Sequence, residues 1–212
     1  NPKNLINALS RRTRRVVKQT IFSRKRLADV YLQANASFEK AVDFEEVDPN
    51  IGNGLKKRAK VIAFYLPQFH EFDENNKNWG AGFTEWTNLA RNIPRFPGHI
   101  APRTPRDLGF YNLLHGDIQI RQAEMAKNAG LFGFCYYYYR FDAKGFMDAP
   151  LQRMLNDPRV DFPFCLMWCN ESWSRAWIGK ERSIIAEQKY SDELDVTFVD
   201  ETVKIFSDPR YI

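Results

Sequence analysis

Three short segments of the chain consist almost entirely of apolar and aromatic residues, and they constrain the fold most. They are residues 61–66, 131–139 and 162–169. A short, continuous apolar run predicts a strand that is buried on both faces. Segments with helical spacing follow them, at residues 117–129, 150–155 and 192–206, and residues 183–186 predict a fourth strand. Buried strands that alternate with helices predict an α/β fold with a parallel sheet.

The residues that follow these strands favour a closed barrel over an open doubly wound sheet. Polar and aromatic side chains stand at the end of each run, at Gln68–His70, Tyr136–Arg140 and Asn170–Trp173. Barrel enzymes concentrate function at the carboxyl ends of their strands. The first strand is followed by PQFH and not by a glycine-rich phosphate loop, which argues against nucleotide binding of the Rossmann type. A TIM-type (β/α)8 barrel needs about 250 residues, so residues 59–212 predict its first half.

Residues 1–58 are predicted to form a separate, basic helical region with a linker. Residues 1–31 contain nine Lys or Arg and one acidic residue, Asp29. Apolar residues at mixed spacings of three and four predict one or two amphipathic helices over residues 3–43. A helix of this kind is usually solvated, and peripheral contact of residues 1–31 with an anionic membrane is the alternative. We expect no nucleic-acid partner, because no recognition motif accompanies the charge.

Neither export nor metal binding is indicated by the sequence. No apolar run reaches the length of a membrane span, and the first residues lack the pattern of a secretory signal. The three cysteines form no CxxC pair, and their odd number predicts reduced thiols. The histidines show no ligand spacing, so we expect no metal site. These features predict a cytoplasmic chain, placed at the cytoplasmic face of the inner membrane if its basic helices bind lipid.

Two predicted loops combine aromatic rings with carboxylates, which is the composition of a saccharide site. Sugars present hydroxyls to polar groups and C–H faces to aromatic rings. We take Glu85 and Glu171 as the candidate catalytic carboxylates. The candidate substrate-binding residues are Tyr65, Gln68, His70, Trp79, Trp86, Tyr136, Tyr138, Asn170, Trp173 and Trp177.

Each of these residues also has a structural interpretation. A tryptophan in a barrel loop often only packs, and Glu85 or Glu171 could form an ion pair with Arg91, Arg175 or Arg182. Residues 136–139 are four tyrosines, and in a strand two of them would face the barrel interior and two the helices. His70 is either a general acid or hydroxyl donor, or a turn histidine bonded to backbone.

Several motifs in one order resemble the WbsX-type glycosyltransferases over residues 59–212. They are FYLPQFH, NWGAGFTEWTN, FPGHIAPRTPRDLGFYN, GLFGFCYYYYRF, FPFCLMWCNESWSRAW and EQKY. That family looks like a relative of the family 99 glycoside hydrolases, which are (β/α)8 barrels that act on α-mannosides. The resemblance implies a barrel and a sugar substrate. It also implies that the main catalytic glutamates come from later strands, beyond residue 212.

The resemblance implies a glycosyltransferase that assembles bacterial surface polysaccharide, such as O-antigen, lipopolysaccharide or capsule. Its substrate would be a carbohydrate or lipid-linked glycan together with an activated sugar donor, and no divalent metal is indicated. A glycoside hydrolase or transglycosidase acting on α-mannoside-like glycans is the first alternative. A non-catalytic carbohydrate-binding barrel is the second.

Overall fold

The computed structural model describes residues 58–96, 99, 101–141 and 145–212, with isolated positions before them (13, 16, 27–29, 44–46, 48, 50, 54 and 56). For Trp177 and Glu181 it describes the backbone but not the side chain. The predicted helices of residues 1–58 therefore lie almost entirely outside the described residues. The chain divides into two compact units, Asn1–Phe44 with Thr87–Gly109, and Glu45–Trp86 with Phe110–Ile212.

In the described part of the first unit, Arg106 contacts an aromatic ring and an acidic side chain. The Arg106 guanidinium lies 3.9 Å from the centre of the Phe44 ring. The same side chain forms an ion pair of 2.7 Å with Asp107. The Ala101–Pro102 peptide bond is cis, and Ala101 is buried.

The second unit is built on a sheet with three parallel strands, β1 (Ile62–Tyr65), β2 (Gly133–Arg140) and β4 (Phe164–Cys169). Strand β2 lies in the middle, and β3 (Gly145–Phe146) pairs antiparallel with its end. At Gly133 an added Cβ would lie 2.6 Å from the Pro163 carbonyl oxygen, so only glycine allows this close approach. The predicted parallel α/β sheet is confirmed. The described sheet is open, so barrel closure stays a prediction.

Three helices cover one face of this sheet, namely α3 (Ile118–Asn128), α4 (Ala149–Asn156) and α5 (Asp192–Phe206). All three agree with the helical spacings in the sequence. Ser191 caps the start of helix α5, because its hydroxyl accepts a hydrogen bond of 3.3 Å from the Leu194 amide. No helix in the described part of the chain combines the length and the apolar composition needed to cross a membrane.

The sequence-based interpretation was wrong at two places. The segment after β1, interpreted as a loop, contains α1 (Asp73–Trp79) and α2 (Glu85–Ala90). The predicted fourth strand is β6 (Lys180–Ala186), but it pairs antiparallel with β5 (Trp173–Arg175) in a separate two-stranded sheet. Too few residues separate β4 from β6 for the crossover helix that a parallel neighbour requires. A single 3-10 turn, Ala176–Ile178, joins β5 to β6.

The core lies between the sheet and its helices. It includes Tyr65, Tyr136, Tyr138 and Phe164 from the strands, with Met154 from α4. On the opposite face of the sheet, Phe64 is 66% exposed and its ring lies 5.6 Å from that of Tyr137. Because strand side chains alternate, that face also carries Cys135 and Tyr139. The sheet therefore has one covered and one largely uncovered apolar face.

Arg210 fastens the end of the described chain to α4. Its guanidinium pairs with Asp208 at 2.7 Å, and both side chains are 13% exposed. The same guanidinium donates hydrogen bonds of 2.9–3.2 Å to four carbonyl oxygens, those of Met154, Leu155, Asp157 and Val160. Beyond Arg210, Tyr211 bridges Phe164 in parallel, and the Ile212 amide donates to the Phe164 carbonyl at 2.9 Å. The chain thus returns to the sheet beside β4.

Candidate functional site

The segment after β1 and the hairpin after β4 are joined by Arg175. Its Nη2 atom donates a hydrogen bond of 2.6 Å to Asn78 Oδ1. Its guanidinium also lies 5.2 Å from the centre of the Trp79 ring, within the range of a cation–π contact. We call this contact between β5 and α1 the Arg175 bridge. It brings together two segments that follow the carboxyl ends of parallel strands.

Beside the bridge, three aromatic rings form a group that we call the Trp173 cluster, made of Phe72, Phe146 and Trp173. The Trp173 ring lies 5.1 Å from Phe146 and 6.1 Å from Phe72, and the two phenylalanines are 5.7 Å apart. Trp173 is half-buried, so part of its surface is open to solvent. An accessible indole with polar neighbours is suited to contact the C–H face of a sugar.

Trp86 has different surroundings. Its indole Nε1 donates a hydrogen bond of 2.7 Å to the Tyr111 carbonyl. Its ring lies 4.7 Å from Phe69 and 5.0 Å from Tyr111, and both of these residues pack against the core. These contacts favour a packing role, one of the two interpretations open for each tryptophan, and sugar binding by Trp86 stays a prediction.

The two candidate carboxylates lie at the start of α2 and just after the end of β4. Glu85 is the first residue of α2 and is half-buried. Glu171 follows β4 and is exposed, as is its neighbour Asn170, whose carbonyl accepts a hydrogen bond of 2.6 Å from the Tyr190 hydroxyl. The Trp177 side chain lies outside the described part of the structure. A catalytic role for Glu85 and Glu171 stays a prediction.

The tyrosines predicted to bind substrate lie on the helix-covered face of the sheet. The Tyr65 hydroxyl donates a hydrogen bond of 2.6 Å to Gln122 Oε1 of α3. Tyr136 and Tyr138 are 2% and 4% exposed, and burial raises the pKa of Tyr138 to about 12. This placement favours packing roles for all three. Tyr137 and Tyr139 face the other side, and the Tyr139 hydroxyl lies near Gln68.

His70 is buried beside the Trp173 cluster. It is 1% exposed, and its ring lies 5.4 Å from that of Phe72. Neither ring nitrogen has a hydrogen-bond partner among the described residues. Burial lowers the pKa of His70, while the neighbouring Pro67 and Asp148 act in the opposite direction. The imidazole is therefore neutral near pH 7, and its N–H donor and acceptor nitrogen are both enclosed by the surrounding residues.

Replacing His70 by phenylalanine is expected to make stability less sensitive to mild acid. The folded protein holds the proton of His70 less tightly than the unfolded chain, so its free energy of unfolding falls as pH drops below about 6.5. For one proton the slope is at most about 1.4 kcal/mol per pH unit. Urea unfolding should be measured between about pH 5 and pH 7.5, the range in which this histidine gains its proton. It should show the pH dependence of stability in the wild type and its loss in His70→Phe. His115→Gln, at an exposed position, should keep it, and an unchanged slope in His70→Phe would disprove the assignment.

The residues that sequence reasoning missed are those that join the two segments. The sequence indicates Arg175 only as an ion-pair partner for a glutamate, and it gives no sign of Phe72 and Phe146 as site residues. No local pattern marks them, since Asn78 and Arg175 are 97 positions apart in the chain. Within the described ranges, no group of three His, Cys, Asp or Glu side chains could hold a metal ion.

Comparison with known proteins places this chain in a family. Residues 61–212 match the family described as "Glycosyltransferase WbsX". Proteins from two strains of Xanthomonas campestris pv. campestris, both described as "Uncharacterized protein WxcX", are 42% identical over 154 residues, which cover 73% of this chain and 22% of each relative. The chain thus spans about a fifth of the length of these relatives. Solved structures give no significant match. On the family match and this identity, the chain belongs to the WbsX-type glycosyltransferases.

Proposed function

We propose that this chain forms part of a glycosyltransferase that builds bacterial surface polysaccharide, such as O-antigen, lipopolysaccharide or capsule. Family membership supports an enzyme of glycosyl transfer and a carbohydrate substrate. The observation that supports a site is the Arg175 bridge, because it assembles the aromatic and polar residues of two distant segments. We use the term rim for the region formed by the Arg175 bridge and the Trp173 cluster. We place the carbohydrate at this rim, in contact with the Trp173 cluster and Trp79.

We further propose that the sheet is the first part of a (β/α)8 barrel. Strands β1, β2 and β4, followed by Tyr211, lie side by side in this order, and the helices cover only one face. The opposite face leaves Phe64 exposed. Helix α5 also carries a row of exposed apolar side chains, Val196, Val199, Val203 and Phe206. A barrel would enclose the exposed face of the sheet, and its next helix would cover the exposed apolar row of α5.

Within this proposal the polar groups at the rim have separate roles. Asn170 and His70 would bind sugar hydroxyls, and Glu171 would assist proton transfer, with Glu85 as the second carboxylate. The relatives are much longer than this chain, and we expect the main catalytic carboxylates in other parts of the full protein. Tyr137 and Tyr139, and not Tyr136 and Tyr138, face the side of the sheet that a barrel would enclose.

Incubating the full-length protein with oligosaccharide acceptors, with and without activated sugar donors, tests the proposal. We expect chain extension only when a donor is present. Shortening of the oligosaccharide without a donor would instead show a hydrolase or transglycosidase. Binding with neither reaction would show a non-catalytic carbohydrate-binding barrel.

The contribution of Glu171 is testable in the same assay. Loss of an acid–base group typically lowers the rate roughly 100-fold or more, so we expect a loss of this size in Glu171→Gln. Glu187→Gln changes another exposed glutamate, directly after β6, and should keep the wild-type rate. Equal rates in the two variants would remove Glu171 from the mechanism.

Location and membrane contact rest on the sequence alone. We propose that the protein acts in the cytoplasm, and that the basic residues 1–31 hold it at the inner membrane through anionic lipid headgroups. Binding of the full chain to vesicles with and without anionic lipid would test this, and equal binding to both would contradict it.

A further inference from the structure

A second concave site lies on the helix-covered side of β2, between α4 and α5. It is a cavity of about 520 Å³, within the range of roughly 300–1,000 Å³ that is typical of small-molecule sites. Side chains from three elements line it, namely Tyr138 and Arg140 from β2, Gln152 and Asn156 from α4, and Glu201 and Lys204 from α5. We call it the α4–α5 cavity. None of its lining residues belongs to the Trp173 cluster or the Arg175 bridge.

Arg140 shows that this cavity has an unused hydrogen-bonding group. The arginine is the last residue of β2, and its side chain is only 5% exposed. Its Nη1 atom pairs with the Glu201 carboxylate, and the Tyr138 hydroxyl lies close to the guanidinium. Its Nη2 atom is buried without any hydrogen-bond partner among the described residues. A buried charged donor without an acceptor costs stability, and turning of the guanidinium towards the cavity would let a ligand oxygen supply that acceptor.

The charges around the cavity are balanced, and this selects the class of ligand. Arg140 is matched by Glu201, and the lining also contains one lysine, Lys204, and one further acidic residue, Asp148. The remaining lining carboxylate, Asp208, is paired with Arg210. A balanced site attracts neither anions nor cations strongly. It offers donors and acceptors together, which suits a neutral ligand rich in hydroxyl groups.

Part of the cavity wall is apolar. Leu155 and Ile205 line it together with the Tyr138 ring. The amides of Gln152 and Asn156 stand at its exposed side. Amides and carboxylates can bind adjacent hydroxyls, and an apolar wall can contact C–H groups. A pyranose ring presents both kinds of surface.

We infer that the α4–α5 cavity is a binding site for one neutral monosaccharide unit, separate from the rim. The Arg140 Nη2 atom and the Lys204 amino group donate to its hydroxyl oxygens, and the Gln152 and Asn156 amides contact its outer hydroxyls. The inference rests on the lining of this cavity and does not require glycosyl transfer at the rim. A site of this kind would hold a glycan at a second point.

Ligand-observed NMR with the full-length protein tests this inference. The probes are glucose, galactose, mannose and N-acetylglucosamine, with glucuronate and glucosamine as charged comparisons. We expect at least one neutral sugar to bind with a Kd in the millimolar range, because the cavity is open at one side. Gln152→Ala and Lys204→Ala change exposed lining residues, so they should keep the fold while raising this Kd about fivefold each, the effect of one lost hydrogen bond. Asp200→Ala, on α5 but outside the lining, should leave it unchanged.

Three results would overturn the inference. The first is that none of the neutral sugars binds. The second is that glucuronate or glucosamine alone binds, which would contradict the argument from charge balance. The third is binding that Trp173→Ala abolishes and the two cavity variants leave intact, since that binding belongs to the rim. If a neutral sugar binds to the cavity but the protein transfers no sugar, the result counts against the proposed function and not against this inference.

Discussion

Replacing Arg210 by methionine is expected to lower the free energy of unfolding by about 3 to 5 kcal/mol. The guanidinium is mostly buried, and it satisfies the carbonyls at the end of α4 and the turn that follows. Methionine fills a similar volume but donates no hydrogen bond. The variant therefore removes every hydrogen bond that this guanidinium donates in a partly buried place. The carbonyls of Met154, Asp157 and Val160 keep one backbone donor each, and the Asp208 carboxylate keeps the amide of residue 210.

Arg159→Met is the matched control for this experiment. Arg159 also forms ion pairs, with Asp157 and Asp117, but its side chain is 60% exposed. Exposed pairs contribute about 1 kcal/mol or less. Urea unfolding of both variants at pH 7 should therefore separate them clearly. A similar loss in the two would show that Arg210 is not a structural anchor.

The pH dependence of stability gives a second readout of the same anchor. The hydrogen bond with Arg210 holds the pKa of Asp208 below its usual range. A depressed carboxyl pKa contributes stability above the unfolded value of about 3.9 and loses it as pH falls through the folded value. The difference in unfolding free energy between wild type and Arg210→Met should therefore shrink as pH is lowered from 5 towards 2.5 (about the range in which the carboxyl titrates). A constant difference would mean that Asp208 takes no part.

Replacing Arg175 by alanine is expected to lower kcat/KM in the full-length enzyme about 100-fold, the scale of a small misplacement of reacting groups. The bridge holds α1 against β5 through Asn78 and Trp79. Without it, the two halves of the rim are no longer fixed relative to each other. Because misplaced groups slow the reaction of bound substrate and a loosened site binds it less tightly, we expect a lower kcat together with a higher KM.

Two further variants distinguish a positioning role of Arg175 from a general loss of protein stability. Arg175→Lys keeps the charge but not the planar fork of donors, so it should recover only part of the activity. Arg182→Ala removes an exposed arginine of the same hairpin and should be close to wild type. If Arg175→Ala loses activity only in proportion to its loss of stability, the bridge has no role in the site.

The parallel strands were predictable because continuous apolar and aromatic runs leave a clear record in the sequence, although only one face of the described sheet is covered. Residues 61–66 and 131–139 admit few polar side chains, and β1 and β2 lie inside them. Helix α1 left a weaker record, since its sequence DENNKNW has no apolar period. The strand at residues 183–186 was found but assigned to the wrong sheet, because its composition does not encode its partner.

For the candidate site, the sequence revealed which segments carry aromatic and acidic residues but not how they meet. Alternation along β2 showed that two of four tyrosines share a face, and nothing local indicated which pair the helices cover. The packing of Tyr138 against Phe198 of α5 decides this. Arg140 follows the same parity and pairs with Glu201, which is 61 positions away. Contacts at such separations depend on the path of the chain between them.

The order of the parallel strands has a consequence for how the protein is made. Strand β2 adds beside β1, β4 beside β2, and Tyr211 beside β4, so neighbours in the sheet are also successive in synthesis. Each strand leaving the ribosome meets an edge that is already present, although Ile62 of β1 waits for Gly133 of β2, far along the chain. The nascent chain can therefore add its strands to the sheet in the order of synthesis.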